Sequence, residues 1–212
     1  MTIGIIDYGA GNLGSISGAL DAIGASYILI DEPSSIKQVD KIILPGVGNF
    51  THCKNLLDCQ GWSEQILIAA SAGKHILGIC VGMQLLATKG LEGALNFSGT
   101  PGLGLIPGTV RSMSNMGVGL RLPHAGWNDI SIVKQHPLLQ GIEVGADFYF
   151  IHSYAYELDY PEDAFAISNY AVDFPALIAR ENIFGAQFHP EKSSKIGLHF
   201  LENFNNIQYV KG

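Results

Sequence analysis

Gly78-Ile79-Cys80-Val81-Gly82-Met83-Gln84 is the stretch on which the reading of this chain turns. It follows the apolar run Lys74-His75-Ile76-Leu77 and precedes a short helical run from Met83 to Thr88. The pattern predicts a strand, a sharp turn and a helix start, with a cysteine at the turn. Glycines two before and two after Cys80 let the backbone bend without a Cβ in the way. The arrangement is the cysteine counterpart of the G-x-S-x-G nucleophile elbow. A thiol placed there meets unpaired N–H groups and the positive end of a helix dipole, which favour the thiolate. The competing reading is a packed cysteine in an apolar strand, since free cysteines are among the most buried residues.

Two other apolar runs end in polar loops. Lys41 to Leu44 reads as a strand entering Pro45-Gly46-Val47-Gly48-Asn49-Phe50. A glycine-rich loop at the C-terminal end of a parallel strand is where α/β sheets place ligands. Gly46 and Gly48 let backbone N–H groups point inward as donors to an anion or an oxyanion; a plain turn is the alternative. Ile183 to Gln187 reads as a strand entering Phe188-His189-Pro190-Glu191-Lys192-Ser193.

A nucleophilic cysteine needs a base and a group that orients the base. Of seven histidines, His136 precedes Pro137 in a turn and His199 falls on the closing helix. His52 and His75 sit beside predicted elements without a polar cluster. His189 follows a strand and has a carboxylate two residues on. Pro190 stiffens the backbone between them. Residues i and i+2 of an extended segment face one side, so Glu191 can hold the His189 ring. Parallel strands bring their C-terminal ends to one sheet edge, which would gather the Pro45 loop, Cys80 and His189.

Near the start, the apolar run Thr2 to Asp7 reads as a buried strand. Gly9-Ala10-Gly11-Asn12-Leu13-Gly14 follows, then a helix with Leu13, Ile16, Leu20 and Ile23 on one face. This matches G-x-G-x-x-G between strand and helix, and Asp31 lies where a dinucleotide fold puts its ribose-binding acid. Polar, bulky Asp7-Tyr8 fits that turn poorly. Dinucleotide binding and a plain glycine-rich turn both stand at this point.

Ser26 to Ile30 is expected as a further strand and residues 52–72 as one long helix. From Gly99 to Asn128 short apolar runs among Gly and Pro predict an added antiparallel segment. Phe148 to Tyr154, Ala164 to Asn169 and Pro175 to Ala179 are expected strands. A closing helix from about Lys195 to Asn206 turns Ile196, Phe200, Leu201 and Phe204 inward. The fold class is therefore α/β: a mostly parallel central sheet flanked by helices, with an antiparallel addition. Residues 1–212 are expected to form a single domain.

Apolar residues make up 47% and charged residues 15%, which supports a large core. The net charge of −7 comes without a basic stripe for nucleic acid or an anionic membrane. No apolar run reaches the length of a membrane span, and a cytoplasmic location is expected. Three cysteines argue against a disulfide framework; Cys53 and Cys59 read as structural.

The elbow at Cys80, the Pro45-Gly46-Val47-Gly48 loop and Gln187-Phe188-His189-Pro190-Glu191 resemble the three signatures of the class I (triad-type) glutamine amidotransferases. More closely, Asp7 to Asn12, Pro123-His124-Ala125-Gly126-Trp127-Asn128, His152-Ser153-Tyr154 and Lys192-Ser193 resemble the family's glutaminase subunits of imidazole glycerol phosphate synthase. Val81 and Ala125 depart from the family's more usual Leu and bulky residue, and neither change touches the chemistry.

The resemblance implies that Cys80 attacks the glutamine side-chain amide, His189 relays the proton and Glu191 orients His189. It implies an oxyanion hole from Val81 and the Gly46-Val47 loop. Gln84, Glu92, Gly48, Ser153 and Tyr154 are implied to bind glutamine, Glu92 through the α-amino group. No cofactor and no metal are implied. Ammonia would pass to a separate (β/α)8 cyclase subunit in a heterodimer. There a phosphorylated ribulosyl aminoimidazole carboxamide would give imidazole glycerol phosphate and the aminoimidazole carboxamide ribotide of histidine biosynthesis. Asn12, Ser15, Trp127, Asn128 and Lys192 match positions at or near that partner face, so Gly9 to Gly14 reads as a partner-facing turn. Three rivals stand beside this reading. They are a different ammonia-consuming synthase such as a surface-polysaccharide sugar amidotransferase, an inactive binding subunit, and an elbow-cysteine peptidase or chaperone.

Overall fold

A computed structural model describes residues 1–208 of the chain. Its main sheet has eight strands. Tyr27–Ile30, Ile3–Ile6, Lys41–Leu44, His75–Ile79 and Ile183–Ala186 lie side by side in that order, all parallel. Val172–Arg180, Ala164–Tyr170 and Ser131–Ile132 extend the sheet antiparallel. The inner parallel strands are short, continuous apolar runs because helices cover both of their faces. Ile3–Ile6, Lys41–Leu44, His75–Ile79 and Ile183–Ala186 are buried at every position.

The antiparallel addition forms two smaller sheets. One pairs Tyr154–Leu158, Gly108–Ser112, Lys89–Gly90 and Thr100–Pro101, and it includes one parallel pairing, of Lys89–Gly90 with Gly108–Ser112. The other is a ribbon of His124–Asp129 with Asp147–His152. The run Phe148 to Tyr154 is thus two strands, because Ser153 ends the ribbon and Tyr154 starts a strand in the other sheet.

Helix Leu13–Ala22 buries Ile16 and Leu20, while Leu13 and Ile23 pack partly buried against the core. The expected long helix over 52–72 is two helices, Phe50–Cys59 and Trp62–Ser71. Gly61 between them is left-handed at φ 81°, a conformation glycine adopts freely and which ends a helix. The closing helix Ser194–Asn206 buries Phe200, Leu201 and Phe204. Buried Lys41 anchors its end, with Nζ donating to the carbonyls of Phe204 and Asn205 at 2.8 and 2.6 Å. Among the described residues no helix is long and apolar enough to cross a membrane.

Three adjacent parallel strands place the site. Leu44 is in register with Gly78, and Ile79 with Ala186. The residues that follow (the Pro45 loop, Cys80 and Gln187) therefore leave the sheet together.

Candidate active site

The elbow is built by close backbone approach. A Cβ on Gly78 would stand 2.5 Å from the Gly82 carbonyl oxygen, and one on Gly82 would stand 1.9 Å from that of Leu44. Gly46 obeys the same constraint: its Cβ would meet the Gly82 nitrogen at 2.5 Å. These contacts interlock the Pro45 loop and the elbow. Cys80 has φ 55° and ψ −112°, a sparsely populated conformation for a non-glycine residue that costs about 1–3 kcal/mol. Its N–H donates to the Ala186 carbonyl at 2.8 Å, which fixes the turn to the histidine strand. The helix that follows is only Val81–Gln84. It begins and ends earlier than the short run expected from Met83 to Thr88, and at one turn its electrostatic contribution resides in its first N–H groups.

His189 is buried and its Nδ1–H donates to Glu191 Oε1 at 2.7 Å. The segment is held on both sides. The His189 N–H donates to the Tyr149 carbonyl at 2.9 Å, and Ser193 Oγ donates to the His189 carbonyl at 2.6 Å. Nε2 is buried without a hydrogen-bond partner, as is Glu191 Oε2. Burial alone would lower the His189 pKa, but contact with Cys80 and Glu191 outweighs it and raises it to about 9. Cys80 is thus within electrostatic reach of the imidazole although no aligned S–H···N bond is formed, a geometry that catalytic pairs often tighten only with substrate.

The cleft over these groups holds about 310 Å³, in the range of small-molecule sites. Val47, Gly48, Cys80, Val81, Gln84, Glu92, Ser153, Tyr154, His189 and Lys192 are among the residues that line it. Gly46 does not reach the lining: it lies beneath the elbow, and Val47 and Gly48 carry the loop into the cleft. Tyr8 holds this loop through its hydroxyl on the Pro45 carbonyl at 2.9 Å. Cys53, fully buried, donates its thiol to the Val47 carbonyl at 3.4 Å, in keeping with a structural role. Cys59 is exposed at the end of its helix.

Glu92 Oε2 accepts from the Phe50 N–H at 2.9 Å, so this carboxylate anchors a helix start while facing the cleft. Burial raises its pKa, and the Phe50 N–H partly opposes that. Gln84 Nε2 donates to the Tyr154 carbonyl at 3.0 Å and to Gln187 Oε1 at 3.1 Å. Its amide hydrogens are committed within the protein, which leaves its oxygen to a ligand.

Positions expected at a partner face differ in their freedom. Trp127 is 54% exposed and meets Tyr149 edge-on at 6.2 Å, while Lys192 Nζ lies 5.9 Å from the Tyr149 ring centre. Asn12 caps helix Leu13–Ala22 by accepting from the Ser15 N–H at 3.4 Å. Asn128 Nδ2 donates to the Asn169 carbonyl at 2.9 Å. The Gly9 turn is explained by packing: a Cβ on Gly11 would stand 2.9 Å from the Pro45 ring. Gly14 has open space around it, without the close helix–strand approach that the third glycine of a pyrophosphate cradle serves.

Three residues beside the cleft were given no role in the sequence. Ile151 and His152 line it, and Gln187 Nε2 lies 3.9 Å from Cys80 Sγ. The available signal was position: Gln187 follows the histidine strand, and His152 ends the ribbon beside Ser153 and Tyr154.

Comparison with known proteins decides the family. The model of glutamine amidotransferase class-I matches residues 4–207. The chain belongs to the class-I glutamine amidotransferases. Within this family it is 45% identical to imidazole glycerol phosphate synthase subunit HisH of Desulfitobacterium hafniense, over 95% of this chain and 92% of the relative. The HisH subunit of Syntrophotalea carbinolica is 41% identical, over 96% of this chain and 98% of the relative. Among solved structures, PurLQS from Thermotoga maritima superposes with a TM-score of 0.74 at 19% identity, over 97% of both chains. A crystal structure of a glutamine amidotransferase gives 0.73 at 19% identity, over 95% of this chain and 97% of the other. At that identity the structural likeness shows the shared fold.

Proposed function

We propose that this class-I amidotransferase is the glutaminase subunit of an imidazole glycerol phosphate synthase, acting through Cys80, His189 and Glu191. The observation that carries the reading is a buried His189 whose Nδ1 is fixed by Glu191 and whose Nε2 is unpaired beside the strained Cys80 elbow.

Glu191 selects the tautomer that leaves Nε2 free, so His189 takes the Cys80 proton and the carboxylate stabilises the resulting imidazolium. Cys80 Sγ attacks the side-chain carbonyl carbon of glutamine. The oxygen gains negative charge, met by N–H groups of Val81 and of the Pro45 loop at Val47; each such donor lowers the barrier by about 2.7–4 kcal/mol. The C–N bond breaks as His189 returns its proton to the departing ammonia. His189 then deprotonates a water that attacks the γ-glutamyl thioester, releasing glutamate and the thiolate. Glu92, Gln84, Gly48, Ser153 and Tyr154 surround the rest of the substrate.

The ammonia goes to a (β/α)8 cyclase, which forms imidazole glycerol phosphate, and the two chains make a heterodimer in the cytoplasm. What supports this partner is the HisH relatives together with the surface at the cleft mouth. Val47 and Ile151 are exposed apolar residues that line the cleft with Lys192, and exposed Trp127 lies on the strand paired with that of Ile151. An exposed apolar patch rimmed by polar groups is the usual mark of an interface. Asn12, Ser15 and Asn128 are assigned to or near the same face.

The test of the site is trapping of the intermediate. Acid quenching of the complex during glutamine turnover, followed by peptide mass mapping, is expected to find a hydroxylamine-sensitive γ-glutamyl adduct on Cys80. An adduct on Cys53 or Cys59 would assign the nucleophile elsewhere.

A further inference from the structure

Between the ribbon His124–Asp129/Asp147–His152 and the cleft runs an unbroken line of side chains that the triad does not use. Asn128 Nδ2 lies 2.9 Å from the Asn169 carbonyl and 3.3 Å from His124 Nε2. His124 Nδ1 lies 3.0 Å from His152 Nε2, and His152 Nδ1 lies 2.9 Å from the Tyr154 carbonyl. The same carbonyl accepts from Gln84, Gln84 donates to Gln187 Oε1, and Gln187 Nε2 faces Cys80 Sγ at 3.9 Å.

Backbone carbonyls at its two ends leave this line a single assignment of protons. The Asn169 carbonyl and the Asp129 N–H, which donates to Asn128 Oδ1 at 3.0 Å, set the Asn128 amide. Its second N–H then requires His124 Nε2 to accept. The neutral His124 ring must carry its proton on Nδ1 and donate to His152 Nε2. His152 in turn must carry its proton on Nδ1 and donate to Tyr154. Because the Tyr154 carbonyl can only accept, Gln84 presents its nitrogen there, Gln187 presents its oxygen to Gln84, and the Gln187 N–H groups are left toward the sulfur. A second proton on either histidine would set two N–H groups face to face and break the line.

The surroundings agree with two neutral rings. His124 stacks on Tyr170 at 4.3 Å and on Phe150 at 5.2 Å, and His152 lies 4.8 Å from the Phe174 ring. The titratable group acting on His152 from outside the line is His189 on the histidine strand's loop. Burial lowers the pKa of His124 and, together with His124 and His189, brings that of His152 down to about 3 against the Tyr154 carbonyl.

Building on the glutaminase reading, we infer that Asn128, His124 and His152 are positioning residues for glutamine. Through the Tyr154 carbonyl they hold the Gln84 and Gln187 amides in place against the substrate and Cys80. The line also sorts the histidines by role: His124 and His152 stay neutral and fixed, and His189 exchanges protons. Its outer end, Asn128, adjoins exposed Trp127 in the ribbon.

Two measurements test this. Steady-state glutamate release by the complex is compared for wild type, His124→Phe, His152→Phe and His124→Gln, with folding checked by thermal unfolding. Phe keeps an aromatic ring and removes the links, so the glutamine KM is expected to rise about tenfold, with kcat falling less. Gln restores a donor and an acceptor and is expected to recover much of that loss. An unchanged KM in both folded Phe variants would overturn the inference. Imidazole 15N spectra of the wild-type protein test the line without reference to catalysis. Both rings are expected as Nδ1–H tautomers from about pH 5.5 to about 8.5, on either side of the ordinary histidine pKa. An Nε2–H tautomer, or titration of either ring in that range, would refute the line even if the variants failed to fold. A wild-type complex without glutaminase activity would instead sink the functional reading, leaving the spectra to judge the line.

Discussion

His189 stands under two opposed influences. Burial disfavours its charge, and Cys80 and Glu191 favour it more strongly, so its pKa rises from 6.5 to about 9. A histidine whose folded pKa exceeds its unfolded value stabilises the fold fully below the unfolded value. That stabilisation is lost as pH rises through the folded value. The difference in thermal stability between wild type and His189→Asn is therefore expected to be largest near pH 6 and to shrink as pH passes about 9. In Glu191→Gln one raising contact is gone, and the shrinkage is expected at lower pH. Unfolding followed by circular dichroism across that range checks both, and a difference independent of pH would contradict the assigned environment.

The elements hold the site by interlocking glycine backbones, and this separates essential glycines from incidental ones. Gly82→Ala would drive a Cβ into the Leu44 carbonyl, 1.9 Å away. Such overpacking costs about 1–3 kcal/mol, read as a lower denaturant midpoint. Gly18, inside helix Leu13–Ala22, has open space where a Cβ would go. Gly18→Ala is expected to stabilise by about 0.5–1 kcal/mol through helix propensity. Equal effects at the two glycines would contradict the interlocked elbow. The parallel strands were legible because each is a continuous apolar run ending in a distinctive loop. The helix break was legible in principle at Gly61, yet the apolar spacing on either side masked it. The His124–His152 line was not legible. Its partners come from both strands of a ribbon, and its proton positions depend on carbonyls of Asn169 and Tyr154 that only the tertiary fold supplies. Asn128 shows the same limit, since resemblance marks it for a partner face while the fold employs its amide internally.

At the scale of the whole molecule, adjacent parallel strands supply the thiol, the donor loop and the base, and the antiparallel addition supplies Ile151, His152, Ser153 and Tyr154 to the cleft lining. The wall and the mouth belong to one ribbon: Tyr149 pairs with Trp127 and His152 with His124. Exposed Trp127 therefore shares a two-stranded ribbon with His152, which lines the cleft, so the proposed docking face and the proposed substrate wall would lie on one element. In the proposed function Cys80 generates ammonia for a partner. The most direct measurement is imidazole glycerol phosphate formation by the complex containing Cys80→Ala, supplied with glutamine or with ammonium salt. If Cys80 is the source of that ammonia, the glutamine-dependent rate is lost and the ammonia-dependent rate is preserved. Retention of glutamine-dependent product formation would contradict this role of Cys80.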